Sequence, residues 1–165
     1  MNTKKENMRF MNAYEDFSDA IYRHCYFRIS DHDKALDLMQ ETFKKTWQYV
    51  SNGNKIKDIK SFLYKTATNL IIDQYRKKKE ISLDLLQEDG FEPSEEPQIS
   101  FVADRQNILK LLDNLDDKYK EVIVMRYIDD MTPKEISKAT NETENVVSVR
   151  IHRGIKKINE LIKNG

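Results

Sequence analysis

The chain contains few of the residues that interrupt helices, and almost no cysteine. Its 165 residues include four glycines, three prolines and one cysteine. A lone Cys25 excludes an internal disulfide, and His24, His32 and His152 are too scattered for the spacing of a metal site. Because glycine and proline are the poorest helix formers, their scarcity favours long helices. The composition therefore predicts an all-α fold with no disulfide, metal or cofactor.

Long apolar runs are also missing. The sequence has no stretch of eighteen apolar residues, and its polar N-terminus, MNTKKENMRF, does not show the pattern of a signal peptide. We therefore predict a cytoplasmic protein without membrane insertion. The sequence also lacks an evident carboxylate pair, Ser-His-Asp set or glycine-rich phosphate loop, which argues against an enzyme.

Charge is balanced overall but unevenly distributed. Residues 1–82 carry sixteen Lys and Arg against eleven Asp and Glu, residues 83–104 carry none against seven, and residues 105–165 carry twelve against ten. The middle segment also holds two of the three prolines and has no helical stripe. We predict two small helical domains, 1–82 and 105–165, joined by an extended acidic linker. At roughly 3.3 Å per residue the linker would span on the order of 70 Å, about two turns of DNA.

The apolar spacing in the first domain predicts three helices. They cover about residues 9–29, a segment from Ser30 or Asp31 to about residue 50, and about residues 58–80, with a loop at 51–57. The second helix has a polar face that, taken alone, is typical of a solvated surface; it includes Asp37, Gln40, Glu41, Lys44 and Lys45.

Aromatic and basic residues alternate along the third helix. Phe62, Tyr64 and Tyr75 lie among Lys60, Lys65 and Arg76, and the helix ends in a run of basic residues at 76–79. Aromatic rings beside cations are the combination that holds single-stranded bases. Phe62 fits the hydrophobic core as well as it fits such a platform.

The second domain contains the pattern of a helix-turn-helix. Thr132, Pro133 and Glu135 form the start signal of a short helix, and Asn141, which tolerates positive φ, ends it. A second helix begins near Thr143 or Asn145. Its apolar positions recur every three or four residues, at Val147, Ile151, Ile155, Ile158 and Ile162. The other faces, which carry Ser148, Val149, Arg150, His152, Arg153 and Lys156, are available to enter the DNA major groove.

Two further helices are expected to support this motif. The first starts near Phe101, and the second is capped by Asp116 or Asp117. The second should turn four side chains inward: Tyr119, Val122, Ile123 and Tyr127.

Two motifs together carry a family resemblance. Residues 35–43 (ALDLMQETF) with Trp47, followed by residues 61–73 (SFLYKTATNLIID) with Arg76, resemble region 2 of the extracytoplasmic-function (ECF) sigma factors of bacterial RNA polymerase. Residues 115–162, with EVIVMRYIDDMTPKEIS and RIHRGIKKI, resemble region 4 of the same family.

The resemblance implies binding sites at matching positions. The second helix would dock on the clamp helices of the polymerase β′ subunit through Asp37, Gln40, Glu41 and Lys44. The third, together with the loop before it, would receive the −10 promoter element through Lys60, Phe62, Tyr64, Lys65, Asn69 and Arg76. The recognition helix would read the −35 element with Ser148, Val149, His152 and Arg153, while Arg150 and Lys156 bind phosphates.

The resemblance also implies protein partners. These are core RNA polymerase, with the β flap as a second contact, and an anti-sigma factor, which in a membrane-bound form would hold the protein at the membrane. The start of the recognition helix departs from the family pattern, because VVSVR at 146–150 replaces the usual Thr-Val-Lys-Ser-Arg. A stand-alone helix-turn-helix regulator is the alternative, but it would leave the pattern from Asp37 to Arg76 unexplained.

Overall fold

The computed structural model describes residues 3–78 and 105–164, and the chain divides into two compact units, residues 1–81 and 82–165. All regular secondary structure in the described ranges is helical, which confirms the all-α prediction. The predicted acidic linker, 83–104, lies outside the described residues. None of the described helices is long and apolar enough to cross a membrane.

The first unit is built from three helices. They are α1 (Thr3–Ile29), α2 (His32–Ser51) and α3 (Ile59–Lys78), and α1 packs against both of the others. The core between them is mainly apolar, and its buried members include Ile21, Cys25, Ala35, Phe43, Leu63, Ala67 and Ile71. It also encloses polar side chains, namely His24, Arg28, Thr42, Thr46 and Thr68. One face of each helix is thereby used for packing, which leaves the other faces of α2 and α3 open to solvent.

Helix α1 begins at Thr3, six residues before the predicted start at residue 9. The additional residues include Lys4, Lys5, Glu6 and Met8, all good helix formers, so the helix extends through this polar segment. Near the end of this extension, Arg9 Nη2 donates a hydrogen bond to the Lys57 carbonyl at 3.5 Å, and Phe10 packs on Trp47 with ring centroids 5.0 Å apart.

Side-chain caps fix where α2 and α3 begin. The Asp31 carboxylate accepts a hydrogen bond from the Lys34 N–H at 3.1 Å, which confirms Asp31, one of the two predicted starting residues of α2. The Asp58 carboxylate accepts from the Ser61 N–H at 3.1 Å and from its hydroxyl at 2.8 Å. Each aspartate satisfies an N–H that has no partner within its helix, and each places negative charge at the positive end of the dipole.

The second unit contains the predicted helix-turn-helix. Its elements are α4 (Arg105–Asp113), α5 (Asp117–Ile123), a π-helical segment (Val124–Ile128), α6 (Pro133–Thr140) and α7 (Glu144–Asn164). Helix α7 packs on both α5 and α6, so it belongs to the core of this unit as well as to its surface.

Local hydrogen bonds hold the helix-turn-helix as the sequence predicts. The Thr132 hydroxyl accepts from the Glu135 N–H and the Glu135 carboxylate accepts from the Thr132 N–H, both at 3.2 Å, which completes the capping box. Asn141 ends α6 in the left-handed region, at φ 58°. The Thr143 hydroxyl then accepts from the Val146 N–H at 3.1 Å, at the start of α7.

The prediction that Tyr127 faces inward is wrong, because its side chain is 40% exposed. The Asp129 N–H bonds to the Val124 carbonyl five residues earlier, at 3.0 Å, so the chain makes a π-turn here. A π-turn adds a residue to one turn, so the residues in it no longer keep the positions of a regular α-helix. A stripe drawn at regular α-helical spacing therefore misplaces Tyr127.

Candidate polymerase and nucleic-acid interfaces

The predicted polymerase-binding residues share one face of α2. Gln40 and Glu41 lie three and four residues after Asp37, and Lys44 lies four and three residues after them, so the four share one side of the helix. Three of them are exposed and Glu41 is half-buried. Their opposite face holds Leu38, Met39, Thr42 and Phe43 in the core. The α2 face is thus a mixed-charge strip on a helix whose position is fixed by packing.

Four of the six residues predicted to bind the −10 element form a second strip, on α3. Phe62, Lys65, Asn69 and Arg76 lie on the same side of the helix; the last three are exposed and Phe62 is half-buried. We call these four residues the α3 stripe. Tyr49 at the end of α2 extends it, because its ring is 40% exposed and packs on Phe62 with centroids 4.8 Å apart. No sequence pattern indicated that Tyr49 belongs to this strip.

The other two predicted residues of α3 lie away from this stripe. Tyr64 is only 2% exposed, and its ring meets His24 edge to face at 5.4 Å, so an accessible stacking face at Tyr64 is contradicted. The reason is its position: Tyr64 is two residues from Phe62, which turns it about 200° around the helix and into the core. Lys60 is half-buried and lies on the same side as Tyr64.

On α7, the predicted −35 residues divide into a row and its neighbours. Ser148, His152 and Lys156 are spaced by four residues and form the row; the first two are half-buried and Lys156 is exposed. Arg153 is half-buried beside this row. Arg150 lies farther around the helix, and its Nη1 is 3.5 Å from Glu142 Oε1 in the turn of the motif.

Val149 does not lie on this reading face. Its side chain is 2% exposed, although the sequence places it toward DNA. Because α7 packs against two helices, its buried arc is wider than the single stripe that the apolar spacing indicates. A contact between Val149 and a thymine methyl group is therefore contradicted by the structure.

The family regions that match this chain correspond to its two units. The family description "Sigma-70 region 2" matches residues 13–81, and "Sigma-70, region 4" matches residues 105–158. The ECF RNA polymerase sigma factor SigW of Bacillus subtilis is 30% identical over 178 aligned positions, which cover 98% of this chain and 92% of that protein. The chain is an ECF sigma factor of the sigma-70 family.

Two other comparisons agree with this assignment. The RNA polymerase sigma factor SigV of Bacillus subtilis is 30% identical over 141 positions, 86% of this chain and 83% of that protein. The sigma factor RpoE of Bartonella quintana, solved with the anti-sigma factor NepR, has the same fold, with a TM-score of 0.72 at 22% identity over 94% of this chain and 97% of that one.

Family membership establishes the general function. An ECF sigma factor acts with RNA polymerase in promoter-specific transcription initiation, and both sigma-70 regions match in this chain. The stand-alone regulator is not favoured, because it accounts for region 4 alone. Among the described residues, no group of three or more His, Cys, Asp or Glu side chains could hold a metal ion.

Proposed function

We propose that three helix faces of this ECF sigma factor bind three different partners. Asp37, Gln40, Glu41 and Lys44 on α2 bind the β′ clamp helices of core RNA polymerase. The α3 stripe binds the −10 element, and the outer face of α7 reads the −35 element. The observation that carries this proposal is that the other predicted residues of each set, apart from Lys60, Tyr64, Val149 and Arg150, lie along one accessible side of their helix.

On α3, the proposed role is to hold melted DNA. Opening the duplex costs a few kcal/mol for each unstacked step. Stacking of a base on an aromatic ring returns about 1–3 kcal/mol, and nearby cations bind the phosphates. The Tyr49–Phe62 pair supplies ring surface, while Lys65 and Arg76 supply positive charge along the same line. Asn69 adds an amide that can both donate and accept hydrogen bonds to a base edge.

On α7, the proposed role is to read duplex DNA in the major groove. Arg153 can donate two hydrogen bonds to a guanine, a contact worth about 1–3 kcal/mol of discrimination. Ser148 and His152 face the same groove with shorter side chains, and Lys156 binds a backbone phosphate. Arg150 binds phosphate only by exchanging its ion pair with Glu142, so its contribution is smaller than its charge indicates.

The protein partners follow from the same assignment. We propose that the β flap of the polymerase binds the second unit and that an anti-sigma factor holds the protein inactive, as the fold shared with a sigma factor solved in such a complex supports. The protein would then act in the cytoplasm, or at the membrane if its anti-sigma factor is membrane-bound. It carries out no covalent chemistry and needs no cofactor of its own.

The decisive experiment is in vitro transcription with core RNA polymerase and a library of promoter fragments. Wild type is compared with Gln40→Ala/Glu41→Ala on α2, Lys65→Ala/Asn69→Ala on α3 and Arg153→Ala/Lys156→Ala on α7. Matched controls on the same helices are Lys45→Ala, at the edge of the polar face of α2 and outside the four proposed residues, and Lys157→Ala, next to Lys156; both are exposed.

We expect start sites that require both core enzyme and this protein. The α2 pair should lower the affinity for core enzyme, the α3 pair should reduce opening after normal promoter binding, and the α7 pair should reduce binding of the closed promoter. Full activity of all three pairs would overturn the assignment of these faces. Loss of activity in the controls as well would show that activity depends on the overall charge of these helices and not on the positions of the proposed residues.

A further inference from the structure

Charge is distributed unevenly along the helix-turn-helix and its recognition helix. Between residues 141 and 152 the chain has two carboxylates, Glu142 and Glu144, and one cation, Arg150. Between residues 153 and 164 it has four Lys and Arg against one Glu. The N-terminal part of a recognition helix is the part that contacts base edges in the major groove. The end of α7 that enters the groove first therefore carries more negative than positive charge.

The one cation in this part of the chain is paired within the protein. Arg150 Nη1 lies 3.5 Å from Glu142 Oε1, and the two side chains are 20% and 39% exposed. The ion pair is thus partly shielded from water, so salt screens it less than it would screen a fully exposed pair. A carboxylate and a phosphate bind the same guanidinium N–H groups. Arg150 can contact both at once only if the two anions lie close together, which their like charges oppose.

Backbone hydrogen bonds on both sides fix the position of Glu142. Its N–H donates to the Ser137 carbonyl at 3.2 Å, just after the left-handed Asn141 has ended α6. The hydroxyl of the next residue, Thr143, accepts from a backbone N–H of α7 at 3.1 Å. Arg150 follows Thr143 by seven residues, or about two turns, and so lies on the same side of α7. Glu142 is therefore held beside Arg150 by the turn itself.

We propose that Glu142 is a positioning residue that weakens the binding of the second unit to DNA by holding Arg150. The proposal rests on the assignment of α7 to the −35 element and adds a residue that sets the strength of that contact. When Arg150 binds a phosphate, its ion pair with Glu142 breaks and the carboxylate is left close to the DNA backbone. Both effects oppose binding by an amount that does not depend on base sequence, because phosphates carry no sequence information.

This ion pair changes how much phosphate contacts contribute to recognition of the −35 element. Binding to DNA of arbitrary sequence depends almost entirely on phosphate contacts. At the start of α7 the only Lys or Arg able to make such a contact, Arg150, is opposed by Glu142. Base contacts from residues such as Arg153 then supply a larger share of the binding free energy. The second unit should therefore bind weakly to any DNA and retain its preference among −35 sequences.

Equilibrium binding of holoenzyme to a −35 duplex tests this role. The duplex comes from a promoter selected by transcription with this protein and ends upstream of the −10 element, so that −10 contacts do not contribute. Glu142→Gln keeps the size of the side chain and removes its charge. It should tighten binding about two- to fivefold at low salt, the range for one surface ion pair. The slope of log affinity against log salt should steepen by up to about 0.9, for one additional phosphate contact.

A double-mutant cycle tests whether the gain passes through Arg150. Arg150→Ala should weaken binding less than about twofold in wild type, but about two- to fivefold in the Glu142→Gln variant, because only there is the arginine released for phosphate. Glu144→Gln is the matched control, since it removes the same charge at an exposed position of the first turn of α7. Any gain from this control should persist when Arg150 is replaced by alanine. Circular dichroism midpoints equal to wild type exclude a folding defect in each variant.

The outcomes separate this inference from the function on which it rests. If Arg153→Ala/Lys156→Ala weakens −35 binding but Glu142→Gln changes neither the affinity nor the salt slope, the role of Glu142 is wrong and that of α7 stands. If Glu142→Gln alters the preference at one base pair, Glu142 reads a base, as a carboxylate does with the cytosine amino group, and the proposal is overturned.

Two further results would count against the proposals. Equal gains from Glu142→Gln and Glu144→Gln that persist in the Arg150→Ala background would show general repulsion between the turn and DNA, and would overturn the role of the ion pair. If Arg153→Ala/Lys156→Ala also binds the −35 duplex normally, the proposed function of α7 itself fails.

Discussion

The two units combine packing with proposed binding in different ways. In the first unit, α1 is the common packing partner and α2 and α3 each offer one face for a separate partner. In the second unit, α7 carries out both tasks, since six of its residues are buried while those between them face outward; the buried six are Val147, Val149, Ile151, Gly154, Ile155 and Ile158. We infer that substitutions can separate stability from binding more easily in the first unit than in the second.

The largest expected effect tests the core of the first unit. Tyr64→Ala should lower its free energy of unfolding by about 3–5 kcal/mol, the usual cost of truncating a buried aromatic side chain. Trp47 is the only tryptophan and lies in this unit, so its fluorescence during urea titration reports on this unit by itself. Circular dichroism follows the helices of both units.

Lys65, the residue after Tyr64, provides a matched control for this prediction. Lys65→Ala changes an exposed position of the same helix and should alter stability by less than about 0.5 kcal/mol, while reducing promoter opening. If Tyr64→Ala instead left the Trp47 transition unchanged and reduced promoter opening, Tyr64 would be a DNA-binding residue after all. If both units unfolded in one shared transition, the two units would not be independent.

The next prediction concerns the close approach of α7 to α5. A Cβ atom at Gly154 would lie 2.8 Å from Ile123 Cγ1 and 3.0 Å from Cδ1, both well inside contact distance. Gly154→Val should therefore destabilise the second unit by about 1–3 kcal/mol through overpacking. The circular dichroism transition should shift and the Trp47 transition should not. Lys157→Val introduces the same side chain at an exposed site of α7 and should cost only its helix propensity, below about 0.7 kcal/mol.

Adjacent turns of α7 allow a direct comparison of packing and recognition. Val149→Ala should cost about 1.5–2 kcal/mol of stability, because two buried carbons are removed, but should leave the −35 preference unchanged. Arg153→Ala should do the opposite and reduce discrimination between −35 sequences by about 1–3 kcal/mol. Competition among −35 variants, measured for holoenzyme beside the unfolding curve, checks both. A changed −35 preference in Val149→Ala would restore that residue to the reading face.

Features set by local chemistry could be predicted from the sequence. The Asp31 cap, the Thr132–Glu135 capping box and the left-handed Asn141 each depend on residues within one turn, and the structure contains all three. The all-α class and the helix-turn-helix follow from the same local signals. The α2 face and most of the α3 stripe could also be predicted, because regular helical spacing determines which side chains share a side of the helix.

Features that depend on tertiary packing could not be predicted in this way. Val149 is buried because α7 has two packing partners, and Tyr64 is buried because α1 covers its side of α3. Tyr127 is exposed because one π-turn changes the helical phase. A cavity between Phe10 of α1 and Val50 of α2 requires two segments that are about forty residues apart in the chain, so no local pattern indicates it.

The smallest expected effects come from one cap in each unit. Asp31→Ala and Thr132→Ala each remove one acceptor for a backbone N–H, at a cost of about 1 kcal/mol. The first should shift only the Trp47 transition and the second only the remaining circular dichroism change. Asp31 also carries a negative charge at the N-terminus of α2, which adds about 0.3–1 kcal/mol at low ionic strength. Asp31→Ala should therefore lower the free energy of unfolding more than Thr132→Ala at low salt, and by about the same amount at high salt. Asp31→Asn keeps the hydrogen-bond acceptor, so it should lose only the salt-dependent part of this stabilisation. If Asp31→Ala lowered the free energy of unfolding by the same amount at every salt concentration, the hydrogen bond alone would fix the start of α2.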